Sequence, residues 1–172
     1  MSTPSDKTDF PGSEAFDKAP SRFRLEDFNT VTAGRVFWRV KRLWPRVGVA
    51  FAGGPTGVAK TFWLLDACAR VCRGEPVLGR PSIPAGVVYV GAEDSAGVRL
   101  RIEGLRLERG CLGEHQFQFI GAAPDLTNPV DVDDLKAALV EARDLMAAHG
   151  IPLGLVVIDT MSAATPGADE NT

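Results

Sequence analysis

Four short runs constrain this chain more than any other feature: residues 47–52, 87–90, 117–120 and 153–158, each dominated by Val, Ile, Leu, Phe, Tyr or Ala. Three of them, 47–52, 87–90 and 153–158, run without apolar and polar alternation and suit strands buried on both faces, as in a parallel sheet, and 117–120 reads as a further short strand. Helical periodicity fills the intervals between them. Over 61–72, Leu64, Leu65, Cys68, Val71 and Cys72 fall on one face, with Arg73, Gly74 and Pro76 as the stop. Val98, Ile102 and Leu105 mark a second helix, whose other face carries Arg99, Arg101, Glu103 and Arg106. A third helix is expected over 132–149, capped by Asp131, favoured by Asp133 and Asp134 at its positive end, and stapled by Val130 against Leu135. Gly150 and Pro152 then end it. Strand alternating with helix predicts an α/β fold with a mostly parallel sheet between helical layers.

The chain has 172 residues, 45% hydrophobic and 24% charged, which suits one globular domain with a sizeable core. Residues 1–20 are polar and Pro-containing and are expected to form a flexible tail, leaving 21–172 as the folded part. No apolar run approaches the roughly 18–20 residues that span a bilayer, and the start lacks the pattern of a secretory signal. A cytoplasmic protein without a membrane partner is therefore expected. A net charge of −3 gives no general attraction to nucleic acid, although it leaves room for a local basic strip. Between Arg22 and Arg46 such a strip exists, with Phe23, Phe28, Phe37, Trp38 and Trp44 among Arg35, Arg39, Lys41, Arg42 and Arg46. It suits either a surface for single strands or a lead-in that packs its aromatics on the sheet while its cations stay solvated. Cys68, Cys72 and Cys111 form no CxxC pair and read as reduced structural thiols. With His115 and His149 the only histidines, the sequence presents no zinc-type ligand cluster.

The stretch Gly54, Pro55, Thr56, Gly57, Val58, Ala59, Lys60, Thr61 follows the first apolar run directly and leads into the first helix. Strand, Gly-containing loop and helix in that order form a phosphate cradle. Backbone N–H groups and the helix N-terminus receive an anion, a lysine reaches the outer phosphates and a hydroxyl holds Mg²⁺. Lys60 and Thr61 fill the last two roles. Ala59 stands where the pattern asks for glycine, which costs little if its backbone is helical and on the order of 1 kcal/mol or more if φ is positive. Asp159 ends the fourth run and would hold Mg²⁺ directly or through water. Glu93 follows the second run and would orient a water against the γ-phosphate, while Asp94 beside it caps the next helix. A salt bridge to a following arginine is the plainer reading of Glu93, and capping of the next turn that of Asp159.

Taken together, GPTGVAKT at 54–61, VVYVGAED at 87–94, LGLVVIDT at 153–160 and GADEN at 167–171 resemble RecA-like P-loop ATPases of the AAA_25 group, which includes plasmid- and phage-type hexameric replicative helicases. The resemblance runs from about Trp38 to Thr172. It implies a three-layer RecA-like fold, ATP and Mg²⁺ as cofactors, Lys60 and Glu93 as catalytic residues, 54–61 as the nucleotide loop, and Thr61 and Asp159 as metal ligands. It also implies assembly into a hexameric ring and coupling to single-stranded DNA in replication or repair. Asp169 and Glu170 would lie in a loop facing a neighbouring subunit. In this class the strand between the loop strand and the Asp159 strand comes later in sequence, so the resemblance implies a C-terminally truncated domain with that position empty. Two other readings stand beside the ATPase: a noncatalytic nucleotide-binding or assembly module, and an inactive remnant.

Overall fold

In the computed structural model, residues 25–55 and 57–167 are described, and the expected tail at 1–20 lies outside them. The chain divides into two units, Met1–Arg35 and Val36–Thr172. In the first, Asp27 organises a turn, its carboxylate accepting from the Asn29 backbone at 2.8 Å and its carbonyl from the Val31 backbone at 2.9 Å.

The second unit runs β1 (Trp38–Val40), β2 (Trp44–Pro45), α1 (Lys60–Arg73), β3 (Gly86–Gly91), α2 (Ser95–Arg109), β4 (Phe117–Ile120), α3 (Pro129–Ala148) and β5 (Leu153–Asp159). β3 lies between β4 and β5 and pairs parallel with both, Val87 opposite Phe117 and Leu155, and Val90 opposite Ile120 and Ile158. Every residue of β3 is buried, as its unalternated apolar sequence requires. Successive side chains on a strand point to opposite faces. Val87 and Tyr89 accordingly pack with Leu65, Cys68 and Cys72 of α1 and Val98 of α2. Val88 and Val90 pack with Ala142 and Met146 of α3. The result is the expected three layers, helix pair, parallel sheet and helix.

Both long helices on the first face end on glycine. Gly74 adopts φ 71° and donates to the carbonyls of Arg70 and Val71, closing α1 as the sequence predicts. Asp66 of α1 meets Arg70 at 2.8 Å and Arg109 of α2 at 2.9 Å, which ties the two helices together. Cys68 and Cys72 are buried thiols, and burial pushes Cys72 up to about 12, so both are unreactive structural groups. Cys111 differs from that expectation because its thiol is exposed.

Four other expectations need correction. Residues 47–52 form no strand, and Val47, Val49 and Phe51 are more than four-fifths exposed. The run is held at one end by the Arg46 N–H on the Phe37 carbonyl and at the other by the Lys60 ammonium on the Gly54 and Pro55 carbonyls. Between these anchors it faces β5 across an open groove of about 1730 Å³. Among the described residues β5 pairs only with β3, which leaves its outer edge open, and the apolar run lies across the groove without pairing to it. The cap of α3 is Asn128, whose side chain accepts from the Val130 N–H at 3.0 Å. Asp131 sits inside the first turn and accepts from the Asp125 N–H instead, while Val130 is exposed and staples nothing. Finally, Arg39 is not solvated. It is 4% exposed, donates to the carbonyls of Ile83 and Pro84, and has its pKa lowered by burial and then by Arg46. Of the lead-in aromatics, Trp44 meets Trp63 of α1 edge to face at 5.9 Å, whereas Phe37 is exposed. Among the described residues, no helix is long and apolar enough to cross a membrane.

Met146 is fully buried, and its sulfur lies over Gly86 at the start of β3. Met146→Ala is expected to cost about 2–5 kcal/mol, the range for truncating a buried methionine, and denaturant unfolding monitored by circular dichroism measures it.

Candidate functional site

A parallel sheet collects the C-terminal ends of its strands on one side, and here those ends carry the polar residues. β5 ends on Asp159 and β3 is followed within two residues by Glu93. The last rung of their ladder pairs Gly91 with Asp159, and the Ala92 N–H then donates to the Asp159 carbonyl at 2.7 Å. The loop before α1 reaches the same edge. Ala59, Lys60, Thr61, Glu93, Asp159 and Thr160 all line the open groove.

Asp159 is 7% exposed, and a buried carboxylate requires hydrogen-bond donors. Tyr89 supplies one. Its hydroxyl donates to Asp159 Oδ2 at 2.6 Å from two rungs down the neighbouring strand. Burial first, then the hydrogen bond and charge of Asp159, pushes the Tyr89 phenol far above its usual range, so it remains a donor at neutral pH. With Oδ2 committed to Tyr89, Oδ1 is the oxygen that can serve a cation in the groove. Glu93 is exposed and accepts from the Thr160 hydroxyl at 3.1 Å, a contact that joins the residues following β3 and β5. Asp94 caps α2 as expected, accepting from the Gly97 N–H at 2.8 Å and meeting Arg101 at 3.4 Å.

The loop has the chemistry of an anion cradle. Among the described residues, no side chain caps the N-terminus of α1, and no acidic residue stands in its first turn. Its leading N–H groups and positive end therefore remain available to an anion. Lys60 Nζ donates to the carbonyls of Gly54 at 2.7 Å and Pro55 at 2.8 Å, which folds the loop around the ammonium. Gly57 has φ 84° and Ala59 has φ 60°. The question left open by the sequence is thereby answered: Ala59 holds a left-handed conformation that disfavours a Cβ by roughly 1–2 kcal/mol. Thr56 lies outside the described residues, as do Asp169 and Glu170.

The fold brings Gly57, Ala59, Lys60, Thr61, Glu93 and Asp159 to one groove, while Gly54 and Pro55 join through their carbonyls on Lys60 and Val58 lies beside Gly54 in the same loop. Two supporting residues, Tyr89 and Thr160, were not singled out from sequence. Tyr89 had a signal, since a hydroxyl inside the apolar run 87–90 needs a buried partner. Thr160 had none, because its contact with Glu93 depends on which strands are neighbours. The arrangement can bind an anion at a helix N-terminus, hold a hard divalent cation on a hydroxyl and a carboxylate, and keep a second carboxylate beside them.

Comparison with protein-family models matches residues 18–172 to the AAA domain. No curated protein and no solved structure gives a match.

The strain at Ala59 predicts a gain from relief. Ala59→Gly is expected to raise unfolding free energy by about 0.5–1.5 kcal/mol despite glycine's larger unfolded-state entropy, measured by chemical denaturation without nucleotide.

Proposed function

The chain belongs to the AAA domain family, a family of nucleotide-binding ATPases, and from that premise we propose that it binds and hydrolyses ATP with Mg²⁺ in a RecA-like site. The observation that carries this reading is the shared edge of Lys60, Thr61, Glu93 and Asp159 along one groove. The backbone N–H groups at the start of α1 receive the phosphates. Lys60 exchanges its hold on the Gly54 and Pro55 carbonyls for the outer phosphates. Thr61 and Asp159 are the residues that would hold Mg²⁺, and the ion would supply positive charge against the phosphates. Glu93, steadied by Thr160, orients the attacking water and takes its proton.

The same reading extends to a ring of chains, hexameric in the group it resembles, acting on single-stranded DNA in replication or repair. A neighbouring chain would then complete the site with an arginine, a contribution of about 10³–10⁵ in rate in comparable enzymes. The isolated chain is accordingly slow.

One experiment tests both parts. ATP turnover and Mg-ATP affinity are measured on the wild type, Lys60→Ala and Glu93→Gln at several chain concentrations, with and without single-stranded DNA. Lys60→Ala is expected to weaken binding at least about ten-fold, the loss of one charge-assisted contact of about 1.5–3 kcal/mol. Glu93→Gln should keep binding and lower turnover by about 10²–10⁴. Unchanged affinity in Lys60→Ala would sink the phosphate-loop reading. Binding without turnover in the wild type at any concentration would leave a noncatalytic nucleotide module. Specific activity that neither rises with chain concentration nor responds to DNA would remove the ring and DNA part.

A further inference from the structure

His115 and His149, far apart in sequence, meet in the fold. Their ring centroids are 4.4 Å apart, and Glu114 joins them, with one ligand atom from each of the three residues within 4.8 Å of the others. The spacing of cysteines and histidines, which presents no zinc-type cluster, does not disclose this grouping, because topology alone brings the three residues together. The loop 110–116 leads into β4, and His149 caps the C-terminus of α3 just before β5. This is the end of the sheet where strands begin, opposite the edge that carries Glu93 and Asp159.

We propose that Glu114, His115 and His149 form a binding site for a borderline divalent transition metal, with Zn²⁺ as the type ion, which clamps the loop before β4 to the end of α3. Three features support it. His149 Nδ1 lies 3.0 Å from the Leu145 carbonyl. A carbonyl only accepts, so Nδ1 carries the proton and the lone pair resides on Nε2, the ring atom that can ligate a metal. Metal-binding histidines characteristically donate their second ring N–H to such a carbonyl, which fixes both tautomer and ring orientation. Next, His115 has φ 58°. Consecutive side chains on extended backbone diverge, whereas this left-handed residue lets Glu114 and His115 converge, with His115 Nε2 at 3.3 Å from Glu114 Oε1. Third, both arms stand on braced backbone. Gln116 accepts from the Gly113 N–H through its side chain and from the Val87 N–H through its carbonyl. The turn after α3 is closed by the His149, Gly150 and Ile151 N–H groups on Met146 and Ala147.

Zn–N and Zn–O bonds of about 2.0–2.2 Å in a tetrahedron place ligand atoms roughly 3.4 Å apart. The present spacing of up to 4.8 Å is wider than that, and with His149 held by the Leu145 carbonyl, rotation of the exposed Glu114 side chain is the movement that closes the site. Two imidazoles and one carboxylate select Zn²⁺, Ni²⁺ or Cu²⁺ over Mg²⁺, which keeps this site chemically separate from the one on the opposite edge. A fourth position remains for water, and the metal's role is to crosslink two connections that lie far apart in sequence.

The test is calorimetric titration of the full chain, stripped with chelator, with Zn²⁺ in excess Mg²⁺, together with melting followed by circular dichroism. The wild type is expected to bind one Zn²⁺ at micromolar affinity and to melt at a higher temperature with it. His115→Ala and His149→Ala, folded as judged by their spectra, should each weaken binding ten-fold or more and lose the melting shift, and Glu114→Gln should weaken it less. Cys111→Ser and Asp159→Asn should bind as the wild type does. No Zn²⁺ binding by the wild type at tens of micromolar, unchanged affinity in both histidine variants, or loss confined to Cys111→Ser or Asp159→Asn would overturn the proposal. None of these outcomes depends on ATP turnover, so the two functional readings fail separately.

Discussion

The parallel ladder between β3 and β5, from Val87 on Leu155 to Gly91 on Asp159, is the contact from which the rest of the structure takes its geometry. Its register decides which residue ends each strand at the polar edge. It also brings the Tyr89 hydroxyl to the Asp159 carboxylate, and Thr160 to Glu93. A slip of one residue would turn each β5 side chain to the opposite face, exchange the sets packed against the two helical layers and take Asp159 away from Tyr89. Burial of all six β3 residues makes that slip costly, because Val87 and Tyr89 serve one helical layer while Val88 and Val90 serve the other. Core packing and site geometry are thus set by one register.

The site on that edge combines a buried rigid part with an exposed adaptable one. Asp159 is fixed by Tyr89 inside the sheet, whereas Glu93 and the loop ahead of α1 face the groove. Such a division suits a ligand whose metal end needs fixed geometry and whose phosphates are wrapped by backbone. Ala59 shows the cost on the loop side. Its left-handed backbone would suit glycine, and the loop holds that shape through the Lys60 ammonium on two carbonyls instead. An anion that draws Lys60 away must replace those two hydrogen bonds, so loop shape and ligand occupancy are linked through one side chain.

Much of this was legible from residue patterns, for local reasons. α1, α2 and the strands β3, β4 and β5 follow from apolar periodicity and glycine stops, and Lys60, Thr61, Glu93 and Asp159 were placed at element ends by the same reading. The misreadings share a long-range cause. Residues 47–52 have a strand's composition, yet a strand exists only with a ladder partner, and among the described residues the run stands across the groove from the open edge of β5 and pairs with no strand. Asn128 and Asp131 are both competent caps, and Asp131 was diverted by the Asp125 N–H. Arg39 has a surface residue's composition but finds the Ile83 and Pro84 carbonyls, and His115 finds His149 only because β4 and α3 lie at the same end of the sheet. Local propensity carries none of that information.

If the ladder has brought a metal-binding carboxylate to the phosphate loop, then Asp159 should matter to nucleotide binding only when the metal is present. Asparagine can still accept from Tyr89, so Asp159→Asn preserves the fold while removing the charge. The most direct measurement is ATP affinity of the wild type and Asp159→Asn, each in excess Mg²⁺ and in chelator. The account predicts a loss of at least about ten-fold in Mg²⁺ and equal affinities in chelator. Equal affinities under both conditions, or the same loss in both, would contradict it.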